Sequence, residues 1–63
     1  MNLIPPSIDE QIASVEREIA MRLRVYPRWV ADRRMTQEKA EHEIACMKSV
    51  LETLKAVKEN AGN

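Results

Sequence analysis

The spacing of the apolar residues limits what this chain can fold into more than any other feature of it. From residue 8 onward they recur at alternating steps of four and three, the heptad spacing of a helix that packs one face against a neighbour. The positions in this register are Ile8, Ile12, Val15, Ile19, Arg22, Tyr26 and Trp29, with Leu23 and Val30 beside them. The pattern predicts one long amphipathic helix in the first half of the chain.

The start of this helix is marked by the segment "SIDE". Ser7 stands three residues before Glu10, the spacing of a capping box, in which each side chain accepts a hydrogen bond from the other residue's backbone N–H. Pro5 and Pro6 favour an extended lead-in. We therefore expect an extended arm over residues 1–6 and a helix from about residue 8.

Pro27 lies inside the apolar register of this first helix. A proline in a helix interior removes a backbone hydrogen bond and costs about 3 kcal/mol or more. The register nevertheless agrees on both sides of Pro27, so we expect one helix over residues 8–32 that is kinked there. The alternative is a helix that stops near Val25, followed by a separate short helix over residues 28–33.

A second apolar stripe follows Thr36, a residue type that is favoured as a helix N-cap. The stripe consists of Ala40, Ile44, Met47, Leu51 and Leu54, and it is widened by Val50, Val57 and Ala61. We expect a second helix over residues 37–60, stopped by Asn60 or Gly62, and a tail over residues 61–63. The link between the stripes is only residues 33–35, and so short a link makes the helices antiparallel neighbours. The predicted fold is all-α, an antiparallel two-helix hairpin.

Both stripes are wider than a two-helix seam requires, which indicates a further partner. Small scaffolds usually need disulfides, a metal or a second subunit, and Cys46 is the only cysteine among 63 residues. We expect a homodimer, a four-helix bundle with twofold symmetry. The rival is a different protein that covers the same surface. The predicted core and dimer positions are Ile8, Ile12, Val15, Ile19, Leu23, Tyr26, Val30, Ala40, Ile44, Met47, Val50, Leu51, Leu54 and Val57.

Cysteine usage and the first residues bear on the compartment. A lone cysteine is typical of a reducing compartment. The opening "MNLIPP" lacks the basic start and apolar run of a signal peptide, and no apolar segment approaches the ~20 residues of a membrane span. We expect a cytoplasmic protein that makes no contact with a membrane.

Charge is distributed unevenly, although the net charge is zero. Residues 1–20 carry −3, residues 21–34 carry +4 and residues 35–63 carry −1. Nucleic-acid-binding domains usually have an overall basic balance, and this chain does not. The basic island in the middle still allows a local anion site.

The candidate partner-binding site is the arginine tip, which consists of Arg24, Arg28, Trp29, Arg33 and Arg34. Three interpretations are open. Trp29 and its neighbour Tyr26 can be the end of the core, with the arginines in water. The tip can also be a protein-binding hot spot, because Trp, Tyr and Arg are enriched in hot spots. Finally, the arginines can hold phosphate while a ring stacks on a base, with Asp32 relieving part of the repulsion among them.

A second constellation, Glu38, His42 and Cys46, stands at four-residue steps on one helix face. His and Cys one turn apart can ligate zinc, but a zinc site needs three or four ligands. We interpret the group instead as a surface His42 pairing with Glu38 beside a half-buried Cys46, and predict no metal and no cofactor. The sequence has no Ser/His/Asp set, no Gly-rich phosphate loop and no HExxH motif. We therefore predict that the protein is not an enzyme.

Residues 18–54 resemble a small family of uncharacterised phage and prophage proteins with the pattern "EIA…R…VYP.WV….RMT..KA..EIA.M..V..TL". The most specific matches are Val25, Tyr26, Pro27, Trp29 and Val30, then Arg34, Met35, Thr36, Lys39, Ala40, Glu43, Ile44, Ala45 and Met47. The family often has Gly at the position of Arg33. The resemblance implies a phage accessory protein of the bacterial cytoplasm, a class that commonly binds and inhibits a host factor. It carries no activity and no functional residue over to this chain.

The leading hypothesis is therefore a dimeric hairpin that binds a host protein and modulates it. The alternative is an oligomer that sequesters a phosphorylated nucleotide or nucleic acid at the arginine tip. A third hypothesis is a hairpin that joins a virion or replication complex.

Overall fold

The computed structural model describes residues 4–61, which form two helices. Helix α1 is Ile8–Ala31 and helix α2 is Gln37–Ala61. Asp9, at the start of α1, pairs with Lys58, near the end of α2, at 2.5 Å, so the helices run antiparallel. The predicted all-α hairpin is confirmed. Its principal extents are 45 × 30 × 14 Å, the shape of a single layer of two helices.

The N-terminus of α1 has the predicted capping box. The Ser7 hydroxyl accepts a hydrogen bond from the Glu10 N–H at 3.1 Å, and the Glu10 carboxylate accepts one from the Ser7 N–H at 3.0 Å. Ser7 itself has extended backbone angles, as an N-cap residue should. Two N–H groups that the helix cannot satisfy internally therefore gain partners.

We expect acid to weaken this cap. The backbone N–H of Ser7, and after it the Ser7 hydroxyl, hold the pKa of the Glu10 carboxyl below its ordinary value of 4.5. When the pKa of a carboxyl is lower in the folded state than in the unfolded state, its ionised form stabilises the fold at pH values above the unfolded-state pKa. This stabilisation is lost as the pH falls through the folded-state pKa. Thermal unfolding followed by circular dichroism should show a steeper acid-side loss for the wild type than for Glu10→Gln. Parallel pH profiles of the two proteins would contradict the cap's role.

Helix α1 continues through Pro27 and ends at Ala31, with Asp32 as its C-cap. The alternative of a helix that stops near Val25 is therefore not what the structure has. Because Pro27 has no N–H, the carbonyl of Leu23 lacks its usual intrahelical donor. The bend expected at Pro27 stays a prediction.

The turn after α1 is closed by a Schellman motif centred on Arg33. The N–H of Arg33 bonds the carbonyl of Val30 at 3.0 Å, and the N–H of Arg34 bonds that of Trp29 at 2.8 Å. These are the two bonds that define the motif, which requires a left-handed residue, usually glycine. Arg33 has φ of 61°, so a residue with a Cβ occupies a position that suits glycine.

We expect Arg33→Gly to stabilise the hairpin by about 0.5–1 kcal/mol, because relief of the left-handed cost exceeds the entropy that glycine adds to the unfolded chain. Arg33→Ala is the matched control, since it removes the same side chain and keeps the Cβ. Urea unfolding of the three proteins measures the effect. Equal stabilisation by both variants would mean that the arginine side chain, and not the backbone angle, is unfavourable.

Helix α2 begins as its sequence predicts. The Thr36 hydroxyl accepts a hydrogen bond from the N–H of Lys39 at 3.1 Å, and the Thr36 carbonyl accepts one from Ala40 at 3.0 Å. The helix continues to Ala61, one residue beyond the predicted end. A stop at Gly62 and most of the predicted tail lie outside the described residues.

The core is a thin seam between the two helices. Its buried side chains are Ile19, Tyr26 and Ala40. The other seam positions are half-buried: Ile8, Ile12, Val15, Val30, Ile44, Met47, Leu51 and Leu54. Three positions from the predicted core and dimer set, Leu23, Val50 and Val57, are exposed on the single chain. Neither helix, within the part of the chain that is described, is apolar enough over a sufficient length to cross a membrane.

Candidate functional site

The aromatic residues of the arginine tip pack as the end of the core. Tyr26 is only 8% exposed and Trp29 is half-buried. Their ring centroids lie 5.6 Å apart with the planes tilted by 35°, a favourable arrangement for an aromatic pair. Tyr26 therefore offers no free face on which a base could stack.

Arg22 is the arginine that joins the two helices. Its guanidinium bonds Glu18 at 2.8 Å and, across the seam, reaches the Glu43 carboxylate at 3.6 Å and the Glu43 carbonyl at 3.4 Å. It also lies over the Tyr26 ring, 5.9 Å from the centroid. The hydrogen bond with Glu18 raises the pKa of Arg22 above its ordinary value. The Arg22 side chain is only 19% exposed. Its charge lies within the seam and is stabilised there by these partners.

The four arginines of the tip lie on two different parts of the chain. Arg24 and Arg28 lie on α1, whereas Arg33 and Arg34 follow its C-cap. The Arg34 guanidinium lies over Trp29, 5.6 Å from the ring centroid, where the Schellman motif usually has an apolar contact. Part of the tip is therefore accounted for by helix capping.

The other three arginines of the tip have no ion pair within residues 4–61. The predicted relief of Arg28 by Asp32 is not formed. Asp32 instead donates its backbone N–H to the Arg28 carbonyl at 2.9 Å as the helix ends.

The group on α2 differs from its prediction in two ways. Cys46 is exposed, not half-buried, and no hydrogen bond or ion pair joins His42 to Glu38 in the described chain. The His42 Nε2 atom instead contacts the Cys46 Sγ atom at 3.5 Å. Within residues 4–61, no three His, Cys, Asp or Glu residues are grouped so that they could hold a metal ion.

The exposed apolar residues lie on opposite sides of the hairpin. On α2, Val50 and Val57 follow Glu43 at heptad spacing, so they share its side of the seam; we call these three residues the Glu43 flank. On α1, Glu18 and Arg22 lie on the side of the Ile19–Tyr26 line that faces Glu43. Leu23 lies on the opposite side of that line. Leu23 and Val30 form the Leu23 flank. One packed neighbour cannot cover both flanks.

An open groove lies beside the Glu43 flank, near the free end of the hairpin. Its volume is about 410 Å³. It is lined by Pro6, Glu10, Gln11, Ser14, Val15, Val50 and Leu54. The groove is shallow and combines apolar seam residues with a polar edge, which suits a protein side chain better than an enclosed small molecule.

The chain also exposes more surface than a compact monomer of its size. Its accessible surface is 5172 Å², whereas size scaling gives about 4,200 Å² for 7.3 kDa. Its radius of gyration is 14.7 Å, against about 11 Å for a compact domain of this length. The excess, roughly 1,000 Å², is comparable to the ~800 Å² that one partner buries in a standard protein interface.

Sequence reasoning assigned no role to Glu43 or Arg17. The signal for Glu43 was present, since Arg22 stands in the apolar register that faces the other helix, and a charge in such a position is paired with opposite charge. Arg17 is seven residues before Arg24 and so shares its helix face. Compared with family models, curated proteins and solved structures, the chain gives no match.

Proposed function

We propose that this chain is a non-enzymatic protein-binding module that pairs with a second copy and uses its remaining surface to bind and inhibit another protein. The observation that carries the proposal is the unfilled apolar surface on two opposite sides of a one-layer hairpin. Leu23 and Val57 are each 50% exposed. A single core of this size contributes little stability on its own.

The Glu43 flank is the side proposed for the second copy. Val50 is exposed beside a groove that Val15 and Leu54 also line. Packing this side of one hairpin against the same side of another makes a two-layer, four-helix bundle with a self-complementary interface. Such an interface would bury Val50 and Val57 and fill the groove with side chains from the second copy.

The Leu23 flank and the arginine tip are then left for a different protein. Leu23 is an apolar anchor, and exposed arginines near an aromatic residue are typical of binding hot spots. The resemblance to phage proteins supports a bacterial host protein in the cytoplasm as the partner.

The oligomeric state is the first test. Light scattering across a dilution series should give the mass of a dimer for the wild type, and Val50→Glu/Val57→Glu should give a monomer, because charge is placed where the copies meet. Leu23→Glu is the matched control, an apolar residue of equal exposure on the other flank, and should remain a dimer. A wild type that is a monomer at every concentration would reject the paired form.

The partner is tested with the same variants. Wild-type protein on a support should retain a bacterial protein, which is then purified and titrated directly. Leu23→Glu and Arg28→Ala/Trp29→Ala should lose this binding while their helical circular dichroism persists. Undiminished binding by both variants would place the contact elsewhere on the hairpin.

Sequestration of a nucleotide at the arginine tip has less support. Arg34 covers one face of Trp29, and Tyr26 is buried, so the rings that would stack on a base are occupied by the fold. A panel of nucleotides in thermal shift assays tests this alternative, which requires a concentration-dependent rise in the unfolding temperature.

A further inference from the structure

The face of α1 that points away from α2 carries a line of arginines. Arg17 and Arg24 are seven residues apart and Arg24 and Arg28 are four apart, so all three lie on the side opposite Ile19 and Tyr26. All three are exposed, and at the helical rise of 1.5 Å per residue the line is about 16 Å long. We call Arg17, Arg24 and Arg28 the outer ridge.

Most of the side chains beside the ridge arginines are short and uncharged. Apart from Asp32, the residues three or four positions from a ridge arginine are Ala13, Ser14, Ala20, Met21, Val25, Pro27 and Ala31. These short side chains would let a partner's backbone come close to the helix. At positions three and four residues away from each ridge arginine, the one acidic residue is Asp32, and it makes no ion pair with Arg28 within residues 4–61.

The ridge is therefore a row of three positive charges that no acidic residue of the same face interrupts between Arg17 and Arg28. In the described chain the side chains of Arg24 and Arg28 have no hydrogen-bond partner, and Arg17 donates to the Ser14 hydroxyl at 3.1 Å. Like charges four residues apart on a helix repel each other. An anion bound between Arg24 and Arg28 would relieve that repulsion.

Other cations of the chain are placed differently. On α2, Lys48, Glu52, Lys55 and Glu59 follow one another at steps of four and three residues. Opposite charges therefore alternate along that exposed helix face. The contrast separates the ridge from an ordinary solvated surface, where both signs are interspersed.

We propose that the outer ridge binds the phosphodiester backbone of a nucleic acid without reading its bases. Guanidinium groups bind phosphate oxygens in a bidentate manner, and a straight row of them matches a linear polyanion. No aromatic ring lies on this face to stack on a base, so the contact is made by charge and is independent of sequence. The proposal goes beyond the protein-binding function, because it joins Arg24 and Arg28 of the arginine tip with Arg17 and assigns them a different class of ligand.

A lipid surface fits this face less well. Interfacial helices bury Trp, Phe or Leu beside their basic residues, whereas the larger apolar residues beside the ridge are Met21 and Val25. An acidic protein would supply carboxylates, but it would need a helix with an unrelieved acidic row. Both are included as outcomes of the test.

The test is fluorescence anisotropy at low ionic strength, with a labelled DNA duplex of about 20 base pairs and with its single strand, against the full chain. Arg24→Gln/Arg28→Gln should weaken binding at least tenfold. It should also lower the slope of log K against log salt by about 2, one for each lost phosphate contact. Lys48→Gln/Lys55→Gln is the matched control, with the same loss of charge on α2, and should bind like the wild type. Arg17→Gln should lower the slope by about 1.

Three results would overturn the proposal. The first is that the wild type binds neither oligonucleotide at low salt. The second is that the two double variants lose affinity equally, which would mean that net charge and not the ridge is responsible. The third is that the wild type binds phosphatidylserine vesicles or polyglutamate in preference to both oligonucleotides. Circular dichroism of each variant shows that the helices are intact, so a loss of binding is not a loss of fold.

Discussion

Replacing Tyr26 with alanine should remove about 3–4 kcal/mol of unfolding free energy, the usual cost of deleting a buried aromatic side chain. Within residues 4–61, Tyr26 is one of three buried residues in a thin seam. It contacts Trp29 and lies under the Arg22 guanidinium. Its removal therefore also takes away one of the contacts of Arg22 in the seam. A core of this size rarely supplies more than 3–5 kcal/mol, and we therefore expect the variant to be largely unfolded at room temperature.

The measurement is urea unfolding followed by circular dichroism at one fixed protein concentration, because any self-association adds to the apparent stability. Tyr26→Phe is the matched control. The described residues contain no hydrogen bond to the Tyr26 hydroxyl, so the phenylalanine variant should keep the ring contacts and change stability by less than about 0.5 kcal/mol. A loss of less than about 1 kcal/mol for Tyr26→Ala would place Tyr26 outside the core.

The seam of the hairpin could be predicted because it follows from helix periodicity. The four–three spacing from Ile8 to Tyr26 fixes which face of α1 is apolar. The capping box at Ser7 and the N-cap at Thr36 mark helix starts through local chemistry, since each satisfies orphan N–H groups nearby. These signals depend on residues a few positions apart, which a sequence displays directly.

The turn and the surfaces could not be predicted in the same way. Nothing in the sequence requires Arg33 to have positive φ. That angle follows from where α2 must lie once the seam packs. The width of the apolar stripes was visible, but not that Leu23 and Val50 lie on opposite sides. To separate the two sides, one must know which side of α1 lies next to which side of α2. The Arg22–Glu43 contact in the structure shows this.

The candidate site was predicted as one tip and is better described as three separate features. Sequence proximity grouped Arg24, Arg28 and Arg34 because they fall within a few residues. In the fold, Arg34 belongs to the helix cap through Trp29, while Arg24 and Arg28 belong to the outer face of α1. Arg33 occupies the left-handed position of the turn. A charge run in a sequence therefore does not predict convergence when a helix end falls inside it.

Pro27→Ala should stabilise the hairpin by about 2 kcal/mol. Proline in a helix interior is about 3 kcal/mol less favourable than alanine, and roughly 0.4–1 kcal/mol of that gain is offset because alanine leaves the unfolded chain freer. Pro27 is exposed and lies four residues before the last residue of α1. The substitution therefore removes no buried contact, gives the Leu23 carbonyl a donor, and should straighten the helix.

Pro5→Ala is the matched control for this prediction, because Pro5 is exposed and precedes the α1 cap. It changes only the freedom of the unfolded chain, so it should be neutral or destabilise by less than about 1 kcal/mol. Urea unfolding gives the stabilities, and far-ultraviolet circular dichroism gives the helix content.

If Pro27→Ala behaves like Pro5→Ala, the helix does not extend over Pro27 in solution. The tip would then be a separate segment, free to move relative to the seam. A gain of about 2 kcal/mol would instead mean that α1 extends over Pro27 in solution although the proline destabilises it. Arg24 and Arg28, on either side of Pro27, are then held on one rigid face, as the outer ridge requires.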